Sequence, residues 1–121
     1  MADYLVKFED TAPQDGLFAG GEIPVRIENV SVKGGSEFER GCILAGASGI
    51  FEPAKAKSDG EKVLVVAAED FSSSSTGVAS VYTSGNFHTS KLSTGSSVVS
   101  AADFKEELRQ VDIIETELRE I

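Results

Sequence analysis

The sequence predicts a small, compact, mainly β domain of short strands with one C-terminal helix, and three observations carry that expectation. The chain has 121 residues, 40% of them hydrophobic, which is enough for one core and too little for a second. Twelve glycines and a heavy Ser/Thr load separate short apolar segments that alternate with period two. Only the stretch from Ala101 to about Gln110 repeats at helical spacing.

Taken in order, residues 1–15 read as an N-terminal extended arm and residues 16–121 as a single β domain. In the arm Tyr4, Val6 and Phe8 alternate with Leu5, Lys7 and Glu9, until Thr11-Ala12-Pro13-Gln14-Asp15-Gly16 breaks the pattern. Two readings fit: an arm that adds to a partner's sheet through Asp3 to Phe8, or an ordinary first strand of the domain. Ile23 to Val32 predicts a strand with apolar Ile23, Val25 and Ile27 on one face and a bulge near Asn29. Lys33-Gly34-Gly35 ends it. Phe38 to Leu44 predicts the next strand, Ala45 to Gly49 a turn, Ile50 to Pro53 a short edge segment, and Lys57 to Gly60 another turn. Val63 to Ala68 is the most apolar strand, in a picture of five to seven short strands.

The charges then change abruptly. Residues 71–100 carry no acid and one basic group, Lys91, with eleven Ser and four Thr. Ser72 to Gly77 has the composition of a flexible loop. Val78 to Thr83 keeps period two, and Ser84-Gly85-Asn86 has turn chemistry, so a hairpin returning through Phe87 and His88 is expected. For the helix, Ser100 and Asp103 stand at capping-box spacing, and Phe104, Leu108 and Val111 fall at i, i+4, i+7 on one face. Beyond it Ile114, Leu118 and Ile121 extend the stripe, yet Ile113-Ile114 is β-prone and Asp112 tolerates a left-handed turn; helix and strand both remain open.

The formal net charge of −9 disfavours sequence-independent nucleic-acid binding, which depends on neutralising phosphates. A lone cysteine, Cys42, makes no internal disulfide, suits a reducing cytoplasm and reads as a small buried hydrophobe. The longest apolar run, Val63 to Ala68, is too short for a span, and the first residues lack a leader pattern, so no membrane association is expected.

No catalytic constellation stands out. His88 is the sole histidine, which argues against a multi-histidine metal site, and no cofactor is expected. Gly46-Ala47-Ser48-Gly49 is one residue short of a nucleophile elbow. The neighbouring carboxylates Glu69-Asp70 and Glu106-Glu107 diverge on a strand or helix and form no acid/base pair by themselves. Gly20-Gly21 and Gly34-Gly35 lack the continuation that cradles a phosphate and read as turns. The expectation is a protein that is not an enzyme.

Four segments taken together resemble a known family. They are Phe38-Glu39-Arg40-Gly41-Cys42-Ile43-Leu44-Ala45, Val63 to Asp70, Val78 to Phe87 and Ala102 to Arg109, separated by variable turns. In order and spacing they resemble the head decoration proteins of lambda-like tailed bacteriophages, over about residues 22–114. The most telling pieces are Arg40-Gly41 leading into an apolar strand and the aromatic-Thr-Ser-Gly-Asn-Phe segment that starts at Tyr82. The chain departs from the family at Asp112, where a glycine would be expected to end the helix, and in the serine content of Ser72 to Gly77.

The resemblance implies a non-enzymatic structural virion protein, made in the host cytoplasm and placed on the outer surface of the capsid. It implies homotrimers at threefold and quasi-threefold sites of an expanded shell, with the major capsid protein and the chain itself as partners and neither nucleic acid nor membrane. On that reading Asp3, Tyr4, Leu5, Val6, Lys7 and Phe8 are the candidates for capsid binding, and Arg40, Tyr82, Phe87, Phe104 and Leu108 for contacts of the fold or trimer. The alternative function is a ligand- or glycan-binding β domain of a phage tail or surface, recognising through the Ser/Thr-rich hairpin and Tyr82, although the absence of Trp weighs against it.

Overall fold

A computed structural model describes residues 16–20 and 23–116. The domain is mainly β, with one short C-terminal helix. The strands are β1 (Phe18–Gly20), β2 (Arg26–Val32), β3 (Glu37–Phe38), β4 (Ile43–Ala47), β5 (Ile50–Pro53), β6 (Val63–Ala67), β7 (Phe71–Ser72), β8 (Gly77–His88) and β9 (Ile113–Thr116). A 3-10 turn at Ala101–Phe104 leads into the helix α1 (Lys105–Arg109). Strands β8, β2, β5, β4 and β6 pair in that order, and β6 pairs back onto β8, closing a barrel-like sheet.

Alternation along the barrel strands sorts their side chains into two cores. Val32, Leu44, Phe51, Val65, Ala79 and Val81 fill the inside. Their neighbours Ile43, Leu64, Val66 and Tyr82 point the other way, into a layer completed by Leu17, Phe87, Phe104, Leu108 and Ile113. Strands β4 and β6 are therefore buried on both faces, which is why Val63 to Ala67 reads as a continuous apolar run rather than an alternating one.

Several expectations require correction. Tyr82 to Phe87 is not a hairpin: β8 runs unbroken from Gly77 to His88. Its second half is paired with β1 through Phe18 and Phe87, and in parallel with β9 from Gly85 to His88. Gly85 uses its positive φ of 148° to continue the strand, where a Cβ would press on the Phe87 ring at 3.0 Å. Phe38 to Leu44 is two strands, divided by a turn at Arg40-Gly41 in which Gly41 takes a φ of 96°. Gly46 belongs to β4, and the reversal is the two-residue Ser48-Gly49 loop (φ 56° and 82°), as a tight hairpin requires. Strand β5 is not an edge, since β4 pairs it on one side and β2, in parallel, on the other. In β2 the irregularity lies between Arg26 and Ile27 rather than at Asn29, and Val25 and Ile27 are exposed.

The helix forms where its periodicity placed it. Asp103 accepts the Ser100 N–H at 2.8 Å, while the Asp103 N–H goes to the Ser100 main-chain carbonyl at 3.1 Å. Phe104 and Leu108 are fully buried, but Val111 is exposed because the helix has ended before it. Asp112 itself takes the left-handed conformation (φ 64°), and the chain continues as β9, which resolves the open choice for residues 113–116 in favour of strand. Leu118 and Ile121 lie outside the described residues. Ser72 pairs in β7, so the serine-rich loop begins one residue later, where the Ser73 hydroxyl donates to the Ser75 carbonyl at 3.0 Å.

Candidate functional site

Of the residues singled out in the sequence, Arg40, Tyr82 and Phe87 meet at one place. Gly41 makes this possible, because a Cβ at that position would stand 2.7 Å from the Lys91 carbonyl oxygen. The tight turn presents Arg40 to β8: its guanidinium donates to the Tyr82 hydroxyl and, at 3.3 Å, to the Ala68 carbonyl. Its main-chain N–H donates to Asp70 at 2.8 Å. The guanidinium also lies 5.3 Å from the Tyr82 ring centre and 5.6 Å from that of Phe18. Phe18 meets Tyr82 edge-on at 5.0 Å and lies 5.2 Å from Phe87.

This clasp ties β1, the start of β4, the end of β6 and the middle of β8 together. Its polar groups bond one another. Tyr82 is buried beneath Arg40 and Phe18, so it does not present the open recognition face that glycan binding would draw on. Phe104 and Leu108 pack into the same outer layer from the helix. Phe18, which completes the clasp, was not singled out in the sequence; the only cue was its place as an aromatic next to Leu17 after a turn-rich stretch. The capsid-binding candidates Asp3, Tyr4, Leu5, Val6, Lys7 and Phe8, with the rest of the arm at 1–15, lie outside the described residues.

Two other features gather polar or reactive side chains. A shallow cleft of about 480 Å³ beside the stacked rings of Phe38 and Phe71 is lined by Glu37, Glu39, Asp70 and Ser72. Asp70 there is engaged by Arg40 and Glu37 by the Ser72 hydroxyl at 3.1 Å. Cys42 is buried, and burial pushes its thiol up to about 11 against a hydrogen bond with Ser93 that lowers it, so the reactive thiolate is suppressed near neutral pH. Among the described residues no three His, Cys, Asp or Glu side chains converge as a metal would need. Among them, too, no helix is long and apolar enough to cross a membrane.

No family model matches this chain, and a search of curated proteins returns no match to it.

Proposed function

We propose that this chain is a head decoration protein: a non-enzymatic cement that binds the outside of an expanded tailed-phage capsid as homotrimers at threefold and quasi-threefold sites. Its partners on this reading are the major capsid protein and its own copies, and its place is the outer surface of the virion. The observation that carries the reading is the sequence resemblance at Arg40-Gly41 and at Tyr82 to Phe87. The direct contact between Arg40 and Tyr82 supports it, because the two most telling pieces serve one structural unit rather than matching separately by coincidence. A barrel with two cores and a buried aromatic clasp also suits a protein whose work is mechanical: it presents a rigid body to a shell.

Co-sedimentation with expanded lambda-like shells stripped of decoration tests this. The full chain is expected to saturate such shells and raise their thermal midpoint. Deleting residues 2–9 should leave the circular dichroism of the free protein unchanged and abolish saturation, since several main-chain hydrogen bonds at about 0.5–1.5 kcal/mol each, repeated over the copies, would be lost together. If the full chain fails to bind across a panel of such shells, the reading is overturned. Normal binding by the truncated chain removes the arm from the capsid contact.

A further inference from the structure

We propose that the 3-10 turn at Lys57–Glu61 protects an Asp–Gly bond, Asp59-Gly60, from rearrangement to isoaspartate, and that Lys62 is the side chain that helps to hold the carboxylate out of reach. The proposal is independent of the decoration reading and concerns a modification site that the domain carries whatever it binds. An aspartate followed by glycine is open to this reaction because glycine has no Cβ to shield its N–H from the neighbouring carboxyl. The Gly60 nitrogen attacks the Asp59 side-chain carbon and an N–C bond forms, while the carboxyl hydroxyl and the amide proton leave as water. Water then opens the succinimide ring at either carbonyl, which restores aspartate or leaves isoaspartate, with the main chain running through the side chain. The added backbone atom would fall between β5 and β6, at the entry to the most apolar strand.

Both members of the pair have work in the fold. A Cβ on Gly60 would stand 3.0 Å from the Glu107 side chain of α1, so a larger residue would have to displace that contact. Asp59 holds the turn. One of its carboxylate oxygens accepts the Lys55 and Ala56 main-chain N–H groups at 2.8 and 3.2 Å, and the other accepts from Lys62 Nζ at 2.9 Å. The main-chain donors stand four and three residues back along the chain, so the carboxylate is aimed away from the N–H that follows it. Its side chain is only 15% exposed. The backbone is fixed as well, since the Asp59 N–H donates to the Ala56 carbonyl at 2.9 Å and the Asp59 carbonyl accepts the Lys62 N–H at 3.0 Å. Ring closure therefore has to release three hydrogen bonds and turn the carboxyl round within a pinned backbone. The same bonds favour the ionised carboxylate, whereas the protonated form is the one that loses water.

The test is to age the full chain at neutral pH and body temperature and to follow isoaspartate at residue 59 by peptide mapping with enzymatic methyl transfer. The folded chain is expected to form it about tenfold or more slowly than the same chain held unfolded in urea, because three hydrogen bonds must open first. That comparison needs no variant. Lys62→Met keeps the aliphatic stem and removes the donor, and it should age about two- to fivefold faster than the unaltered folded chain, the range expected of a surface ion pair. Lys57→Met, in the same turn but not bonded to the carboxylate, should age as the unaltered chain does. Circular dichroism checks that both variants are folded. A folded chain that ages as fast as the unfolded one, or a Lys62→Met that ages no faster than Lys57→Met, overturns the proposal.

Discussion

The inner and outer cores share three strands and differ in what completes them. The inner core is built by strands and the segments that join them: Leu44 from β4, Phe51 from β5, Val65 from β6, Val81 from β8. The outer core needs parts brought from far along the chain, with Leu17 ahead of β1, Phe104 and Leu108 from the helical segment and Ile113 from β9. The first depends on alternation and short connections. The second depends on late arrivals. Because β4, β6 and β8 contribute adjacent residues to both, neither core should be lost without the other, and the domain should unfold as one unit.

The strongest way to break this view is a matched pair of cavities. Phe104→Ala in the outer core should cost about 3–5 kcal/mol and Leu44→Ala in the inner core about 2–5 kcal/mol, since both are fully buried. Urea unfolding followed by both fluorescence and far-ultraviolet dichroism should shift to lower midpoint in each case and keep a single coincident transition. Two separated transitions in Phe104→Ala would show that the helical layer is an independent unit.

A smaller effect sharpens the account of the inner core. The Phe51 ring lies over Gly46, and a Cβ there would stand 2.5 Å from a ring carbon. Gly46→Ala should therefore cost about 1–3 kcal/mol through overpacking, measured by the same unfolding midpoint. A neutral result would mean that the ring has room to move.

The third prediction concerns the 3-10 turn at Lys57–Glu61, which lies between β5 and β6. Despite partial desolvation, which raises it, hydrogen bonds from Lys62 and from the Lys55 and Ala56 main-chain N–H groups hold the Asp59 carboxyl below its usual value. A lowered folded value means that the unfolded chain binds the proton more readily. The contribution is therefore present above about pH 4 and is lost as the pH falls through the folded value. Asp59→Asn should cost about 0.5–1 kcal/mol at pH 7, and the gap from the unaltered protein should close in acid. A gap that stays constant from neutral to acid would sink the assignment. The smallest effect is Glu106→Ala on the solvent side of α1, expected below about 0.5 kcal/mol by thermal midpoint, which sets the baseline for Phe104→Ala beside it.

These two cores also explain what the sequence disclosed. The run Val63 to Ala67 and the pair Phe104 and Leu108 were legible because burial there leaves a local periodic mark. The segment around Gly85 was misread because Ser-Gly-Asn satisfies turn chemistry locally, while the partners that keep it extended, Phe18 and residues 113–116, come from the opposite ends of the chain. Strand β5 looked like an edge for the same reason, since its second partner, β2, pairs in parallel from outside the local hairpin. Of the clasp, Arg40, Tyr82 and Phe87 stood out only as parts of a family resemblance. No local rule links a turn arginine to a tyrosine in a distant strand, and Phe18 carried no periodic signal. The exposure of Val25 and Ile27 was not legible, because alternation groups apolar residues on one side of a strand and is silent on whether that side is covered.

The pairing of β8 with both β1 and β9 has a topological consequence. Phe87 is the partner of Phe18 on one edge and of Glu115 on the other, so the described fold begins and ends within one strand's width of the same residue. Two strand spacings separate those ends, about 10 Å, a gap that about three extended residues can bridge. Joining the residues after Thr116 to the chain ahead of Leu17 through a short linker, and opening it at the Ser48-Gly49 loop, would yield a circular permutant with every ladder retained but one tight hairpin cut. The arrangement of the strands is thus separable from the order in which the ribosome delivers them.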